Sequence, residues 1–259
     1  MKGVTRAFYT LYKYLFYAPF AILMTVLVSS LAVLLSPFVS TRVLNTHFLN
    51  RWGRILCKAV PVKVDFQGRE HMDPNQSYVI VANHLSQMDI PLLYGWVGRE
   101  VIWVMKQELR KMPFVGRAAG ALGHIFIDRR SRAKAMEALD SAKPHLVGGR
   151  SIIFFPEGTR SEGALLPFKK GAFRVALDLG LPVLPITIVG SDLILPTNRL
   201  TINHGSIQVV VHPPIAVDTE NDSEALLAEK SRAAIASALP ARYFENQRAA
   251  ESPQSAKKA

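Results

Sequence analysis

The run VIVANHLSQMDIP, residues 79–91, places a histidine and an aspartate five positions apart, directly after a stretch of β-branched residues. An imidazole is a base near neutral pH. A carboxylate on its second ring nitrogen fixes the tautomer and stabilises the imidazolium. On a straight helix five residues rotate by about 500°, so His84 and Asp89 cannot share one helical face. They meet only if His84 precedes a helix and Asp89 lies in its first turn, with Ser86 as N-cap. The spacing also allows a plainer reading. SQMD, residues 86–89, is a capping-box pattern in which Asp89 supports the helix start and His84 is an ordinary loop residue.

A second polar loop, FFPEGTRS at residues 154–161, follows another apolar run. Gly158 lets backbone amides approach an anion, and Thr159 and Arg160 add donors. An arginine binds phosphate through two parallel hydrogen bonds. Asp128-Arg129-Arg130 and Lys106 also follow apolar runs. Asp128-Arg129-Arg130 is either a second phosphate contact or a surface ion pair, and Lys106 either serves the same purpose or is a solvated strand end.

These loops need strands to deliver them. Alternating or continuous apolar runs predict strands over 62–67, 77–83, 101–105, 124–128, 151–155, 183–189 and 207–213. Helical patterns occupy 43–60, 86–97, 108–123 with a break near Pro113, 131–147 capped by Ser131, 171–179 and 222–238. Strands alternating with helices predict an α/β fold: a mixed, largely parallel sheet flanked by helices, with its site in the loops at the strand ends. The expected organisation is an N-terminal membrane-anchoring segment over 1–60, a catalytic domain over 61–240 and a polar tail over 241–259.

The formal charge of +11 favours an anionic partner such as lipid headgroups or an acidic carrier. Nucleic acid is not expected, because the basic residues are dispersed and none of the usual binding motifs occurs. The single cysteine, Cys57, excludes an internal disulfide and a cysteine-based metal cluster. It lies in an amphipathic helical pattern and reads as a packing residue.

No residue between Lys13 and Arg42 is charged, and that run is long enough to span a bilayer. A cleaved leader is disfavoured, since the run is too long and lacks a small-x-small exit. Basic residues flank both ends, so orientation is open. A single span and an embedded hairpin broken at Pro19, Ser29-Ser30 or Pro37 both fit.

No G-x-S-x-G elbow, Walker loop, G-x-G-x-x-G or zinc signature occurs. What remains is a base, a phosphate-binding loop and an apolar anchor. NHLSQMD (83–89) resembles the N-H-x4-D block of the glycerolipid acyltransferases. GHIFIDR (123–129), FPEGTRS (155–161) and LPVLPITI (181–188) resemble their second, third and fourth blocks, in the same order, and LPFKKGAF (166–173) also fits. The likeness extends more loosely over 60–215 and is strongest to bacterial-type 1-acylglycerol-3-phosphate acyltransferases.

The resemblance implies that His84 is the general base and Asp89 its orienting partner. Lys106, Arg129, Glu157, Gly158, Thr159 and Arg160 would hold the acceptor, lysophosphatidate. Its sn-2 hydroxyl would attack the thioester of acyl-CoA or acyl-carrier protein with no acyl-enzyme, no metal and no cofactor, giving phosphatidate. Membrane lipids would be partners, and a bacterial inner membrane with the catalytic domain on the cytoplasmic side would be the location. The same chemistry on glycerol 3-phosphate, another lysophospholipid or a lyso-aminolipid stays open. So does a non-catalytic lipid-binding protein.

Overall fold

The computed structural model describes residues 2–128, 130–146, 148–161, 163–197 and 201–244. Seven strands form one sheet: β1 (Val62–Gln67), β2 (Val79–Ala82), β3 (Val101–Lys106), β4 (Ile125–Ile127), β5 (Ser151–Phe154), β6 (Val183–Val189) and β7 (Gly205–Val211). Their order is β1-β7-β6-β2-β5-β3-β4, and only β6 and β7 run antiparallel. β2 and β5 are buried at every position, as befits central parallel strands covered on both faces. The mixed, largely parallel sheet matches the sequence expectation. The C-terminal ends of β2, β3 and β5 lie side by side, so the loops after Ala82, Lys106 and Phe154 converge.

The N-terminal region is a helical hairpin. Its first arm comprises α1 (Lys2–Tyr12), a π-helical segment Lys13–Tyr17 and α2 (Ala18–Leu35). Within it, Ala7–Leu35 is long and apolar enough to cross a membrane. Of the three breaks the sequence offers, the chain uses only the one containing Pro37. Pro19 comes just after the π-helical segment, and the helix runs on through it without a break. The second arm comprises α3 (Thr41–Val43), a π-helical segment Leu44–Leu49 and α4 (Asn50–Lys58). It returns along the domain and begins at Ser40, whose hydroxyl caps Val43 N–H. The arms are tied by Tyr12 Oη donating to Ala59 O at 2.6 Å and Trp52 Nε1 donating to Thr25 Oγ1 at 3.2 Å.

The hairpin covers one sheet face together with α5 (Asp89–Val97). α6 (Val115–Ala121) joins it by packing on α2. The opposite face is covered by α7 (Arg132–Ala142), α8 (Gly171–Leu179) and α10 (Glu224–Ser237), while the short α9 (Ser191–Ile194) follows β6.

Two helices start later than their sequence patterns predict. α5 begins at Asp89 rather than near Ser86, because Pro91 then falls in the first turn; an earlier start would place it in the interior without its N–H. The pattern over 108–123 resolves into a 3-10 turn, Gln107–Lys111, and α6. Pro113 forces Met112 into extended conformation and so separates them.

α4 lies directly on α5. A Cβ on Gly53 would sit 2.2 Å from Pro91 O and 2.8 Å from Gly95 N. Asn50 Nδ2 donates to Tyr94 O and Gly95 O, and Arg54 Nε to Gly95 O, so α4 satisfies the end carbonyls of α5. Gly53→Ala should therefore push the helices apart and cost about 1–3 kcal/mol. Thermal unfolding in detergent should show a clear fall in Tm for that variant and none for Gly120→Ala, whose Cβ meets nothing within 4 Å.

Candidate active site

β2 delivers His84 to the sheet edge, and Asp89 opens α5 five residues later. The two side chains meet: His84 Nδ1 lies 2.8 Å from Asp89 Oδ2. The same oxygen accepts from Leu85 N–H at 2.7 Å and Ser86 N–H at 2.9 Å. The catalytic-pair geometry and half of the capping box are thus made by one atom, and the two readings of the spacing were not exclusive. Asp89 is fully buried, while the His84 side chain keeps 15% of its surface. With the Nδ1 proton held by Asp89, Nε2 is left with its lone pair. The imidazole stacks on Phe155, ring centroids 3.9 Å apart and planes 10° from parallel.

The backbone of His84 is clamped from the other loop. Its N–H donates to Glu157 Oε1 at 2.7 Å, and its C=O accepts from Ser161 N–H at 2.8 Å. Glu157 Oε2 accepts from Leu166 N–H at 2.9 Å. Both oxygens of Glu157 are therefore occupied by backbone donors in a buried place, and the residue is absent from the cavity wall. Its place is beneath the loop, as a positioning group, rather than against a bound acceptor. Burial pushes its carboxyl up to about 7, against the two amides that pull it down. Asn83 adds a third brace. Its side chain accepts from Ile188 N–H at 2.7 Å and donates to Ile188 O at 2.8 Å, extending the ladder to β6. The fourth sequence block is thus tied to the first through this amide.

A cavity of about 1130 Å³ opens at His84, larger than the roughly 300–1,000 Å³ of ordinary ligand pockets. One end is lined by Lys106, Arg130, Arg160, Lys169, Lys170 and Arg174, together with Glu224, and Arg174 is paired with Glu224 and Asp178. Gly158 and Thr159 also lie on this wall. Gly158 has φ +75°, and a Cβ there would stand 2.6 Å from Lys169 Nζ, so glycine is what lets this lysine lie over the loop. Lys106 pairs with Glu108 at 3.2 Å, both half-exposed. Arg129 lies outside the described residues. Asp128 receives Arg130 N–H on Oδ1, which makes it a turn former.

Sequence reasoning did not assign a role to Lys169, Lys170 and Arg174. The signal was available in KKG at the start of α8. Two exposed cations beside a helix N-terminus oppose the helix dipole, and an anion bound there would relieve that.

The other end of the cavity is apolar and aromatic, reaching Ala32 of α2, Leu49, Ala118 and Leu122 past Trp103 and Tyr94. A second histidine, His124, stands there. Burial pushes it down to about 3, its Nδ1 receives Trp103 N–H at 3.4 Å, and its Nε2 pairs with the Tyr94 hydroxyl at 2.7 Å. His124 is a neutral structural imidazole, whereas His84 has a carboxylate and an accessible ring.

Comparison with known proteins agrees with this architecture. The family model described as Acyltransferase matches residues 63–189. The 1-acyl-sn-glycerol-3-phosphate acyltransferase of Salmonella typhimurium is 32% identical over 178 residues, covering 67% of this chain and 72% of that protein. The chain is a member of the glycerolipid acyltransferase family. A Chlamydomonas reinhardtii acyltransferase of the same name is 33% identical over 213 residues, 81% of this chain and 63% of that protein. The chain spans less than two thirds of that algal relative, and 45% of a chloroplast relative from Brassica napus. The crystal structure of the 1-acyl-sn-glycerophosphate acyltransferase PlsC from Thermotoga maritima superposes with a TM-score of 0.75 at 27% identity, covering 97% of this chain and 99% of that one.

The raised carboxyl of Glu157 should link stability to pH. It keeps a proton in the folded state between about 4.5 and about 7 that the unfolded chain has lost. That contribution is complete below about 4.5 and disappears as pH rises through about 7. Tm measured across this range should fall with rising pH for the parent. Glu157→Gln should show a flatter profile and a lower Tm at the acidic end, because its NH₂ opposes one of the two amide donors. Parallel profiles would remove Glu157 as the titrating group.

Proposed function

We propose that this chain transfers an acyl group from acyl-CoA or acyl-carrier protein to the sn-2 hydroxyl of 1-acyl-sn-glycerol-3-phosphate, giving phosphatidate. The observation that carries the reading is the position of His84, at the junction of a cation-lined and an apolar part of one cavity. An acceptor phosphate suits Arg160, Lys169, Lys170 and the start of α8. An acyl chain suits the apolar end. Fixing both substrates beside one base supplies the proximity that the reaction needs.

The geometry supports one step. The acceptor hydroxyl gives its proton to His84 Nε2 as its oxygen attacks the thioester carbon. Asp89 Oδ2 stabilises the imidazolium through Nδ1. The tetrahedral adduct collapses by breaking the C–S bond, and the thiolate leaves with the proton from His84. An acyl-enzyme has no support: Cys57 is buried off the cavity wall with its thiol pushed up to about 12, and Ser86 Oγ donates to Leu195 O.

The hairpin supports a monotopic attachment. α1 and α2 are bound along one side, through Tyr12 and Thr25 to the second arm and through Ala32 to α6. Leu23, Leu27, Leu31 and Leu34 remain exposed on the other. A helix held in this way suits attachment along the membrane surface, and a cytoplasmic donor such as acyl-CoA or acyl-carrier protein favours the cytoplasmic side.

His84→Ala should lower phosphatidate formation by about 10²–10⁴-fold with unchanged folding, and Asp89→Asn should do so by disturbing the tautomer. Arg160→Ala should raise KM for lysophosphatidate while leaving KM for the donor unchanged. Equal rates from parent and His84→Ala would remove this mechanism. Activity restricted to phosphate-free acceptors would instead favour a lyso-aminolipid substrate.

The apolar end makes a separate prediction. Ala119→Leu places added methyl groups on the cavity wall and should move the preferred donor to a shorter chain, at roughly 0.8 kcal/mol per excluded methylene. Competition between donors of different length reads the shift directly.

A further inference from the structure

The link between β3 and α6 takes no part in the chemistry above, yet its backbone is strained. Phe114 is the one non-glycine residue with positive φ among the described residues, at 61°, with ψ −60°. Val115 N–H donates to Pro113 O at 2.6 Å across it. This is the rare, strained form of the γ-turn. The surroundings hold it rigidly. Met112 N–H donates to Leu109 O, Gly116 N–H to Met112 O and Ala118 N–H to Phe114 O. Gly116 leaves no room for adjustment, since a Cβ there would lie 2.2 Å from Arg110 O.

Strain of this kind ordinarily secures a functional position. Here it turns apolar side chains outward: Met112 is 46% exposed and Phe114 48%. Three cations, Arg110, Lys111 and Arg117, flank them along the chain and are themselves exposed, Arg110 lying over the Phe126 ring. Among the described residues none of the three forms an ion pair. Apolar tips flanked by cations fit an anionic lipid surface, where the tips enter the acyl boundary and the charges meet phosphates.

The position of the loop supports that partner. It leads into α6, which packs on α2 through Ala118 and Leu122, and α2 presents exposed leucines on its outer side. The loop tip is thereby joined through α6 to the helix that carries that apolar surface. Its two feet, Leu109 and Val115, line the catalytic cavity.

We propose that residues 109–117 form an interfacial wedge. Met112 and Phe114 enter an anionic membrane, Arg110, Lys111 and Arg117 bind its phosphates, and the wedge admits lipid sideways into the cavity. The inference rests on the membrane-lipid reading above and adds the residues and the route. A surface cysteine is a specific probe position here, because Cys57 is 1% exposed and poorly ionised.

Full-length Met112→Cys carrying an environment-sensitive fluorophore would be mixed with phosphatidylcholine vesicles containing phosphatidylglycerol and brominated chains. Glu229→Cys, exposed on α10 across the sheet, is the control. A blue shift and quenching at position 112 alone is the expected result. Co-sedimentation with the vesicles and no change at 112 would overturn the wedge while leaving membrane attachment intact. Failure to co-sediment would overturn both.

Phe114→Gly relieves the positive φ, so it should fold with an unchanged or higher Tm. Its apparent KM for lysophosphatidate in vesicles should rise about tenfold at constant kcat, with no change for a dissolved short-chain acceptor. An unchanged KM on vesicles would also overturn the wedge.

Discussion

A single buried oxygen organises the catalytic end of this molecule. Asp89 Oδ2 collects N–H donors from the His84 ring, Leu85 and Ser86. A buried carboxylate without such donors would be costly, and charge-assisted bonds are stronger than neutral ones. The three contacts bend residues 84–89 into a turn, which alone lets side chains five positions apart touch. The start of α5 adds a favourable dipole to the same carboxylate. Because α5 is held against α4 by Gly53 and by the side chains of Asn50 and Arg54, His84 is registered to the N-terminal hairpin as well as to the sheet.

The second constraint comes from β5. Parallel neighbours end on the same edge, so the loop after β5 meets the loop after β2. Glu157 and Ser161 then bind the His84 backbone from both sides, and Phe155 supports its ring. The loop that looks in sequence like a phosphate binder is equally a clamp for the His84 backbone. Its outward residues, Thr159 and Arg160, face the cavity, while its inward glutamate is consumed by amides.

The cavity divides into two environments for a topological reason. Toward α2 and α6 it is walled by helices that are apolar all round or composed of small residues. Toward α8 it meets a helix start flanked by lysines. One ligand with a phosphate and one with an acyl chain can therefore be brought to the same imidazole without burying an unpaired charge.

Strand positions, the alternation with helices and the polar loops after strands were legible in the sequence, because β-branched runs and Gly or Pro punctuation are local signals. The pairing of His84 with Asp89 was legible as one of two readings. It could not be chosen from spacing, since the deciding factor is where α5 begins, and Pro91 sets that only together with the packing of α4. Three features were decided by tertiary structure alone. Glu157 turned inward because Leu166, nine residues away, brings an amide to its second oxygen. Asn83 became a brace because β6, more than a hundred residues later, lies beside β2. The apolar arm exists because a hairpin from the N-terminus closes against α6. Each joins segments distant along the chain, and only their packing determines which groups are paired and which are left facing the cavity.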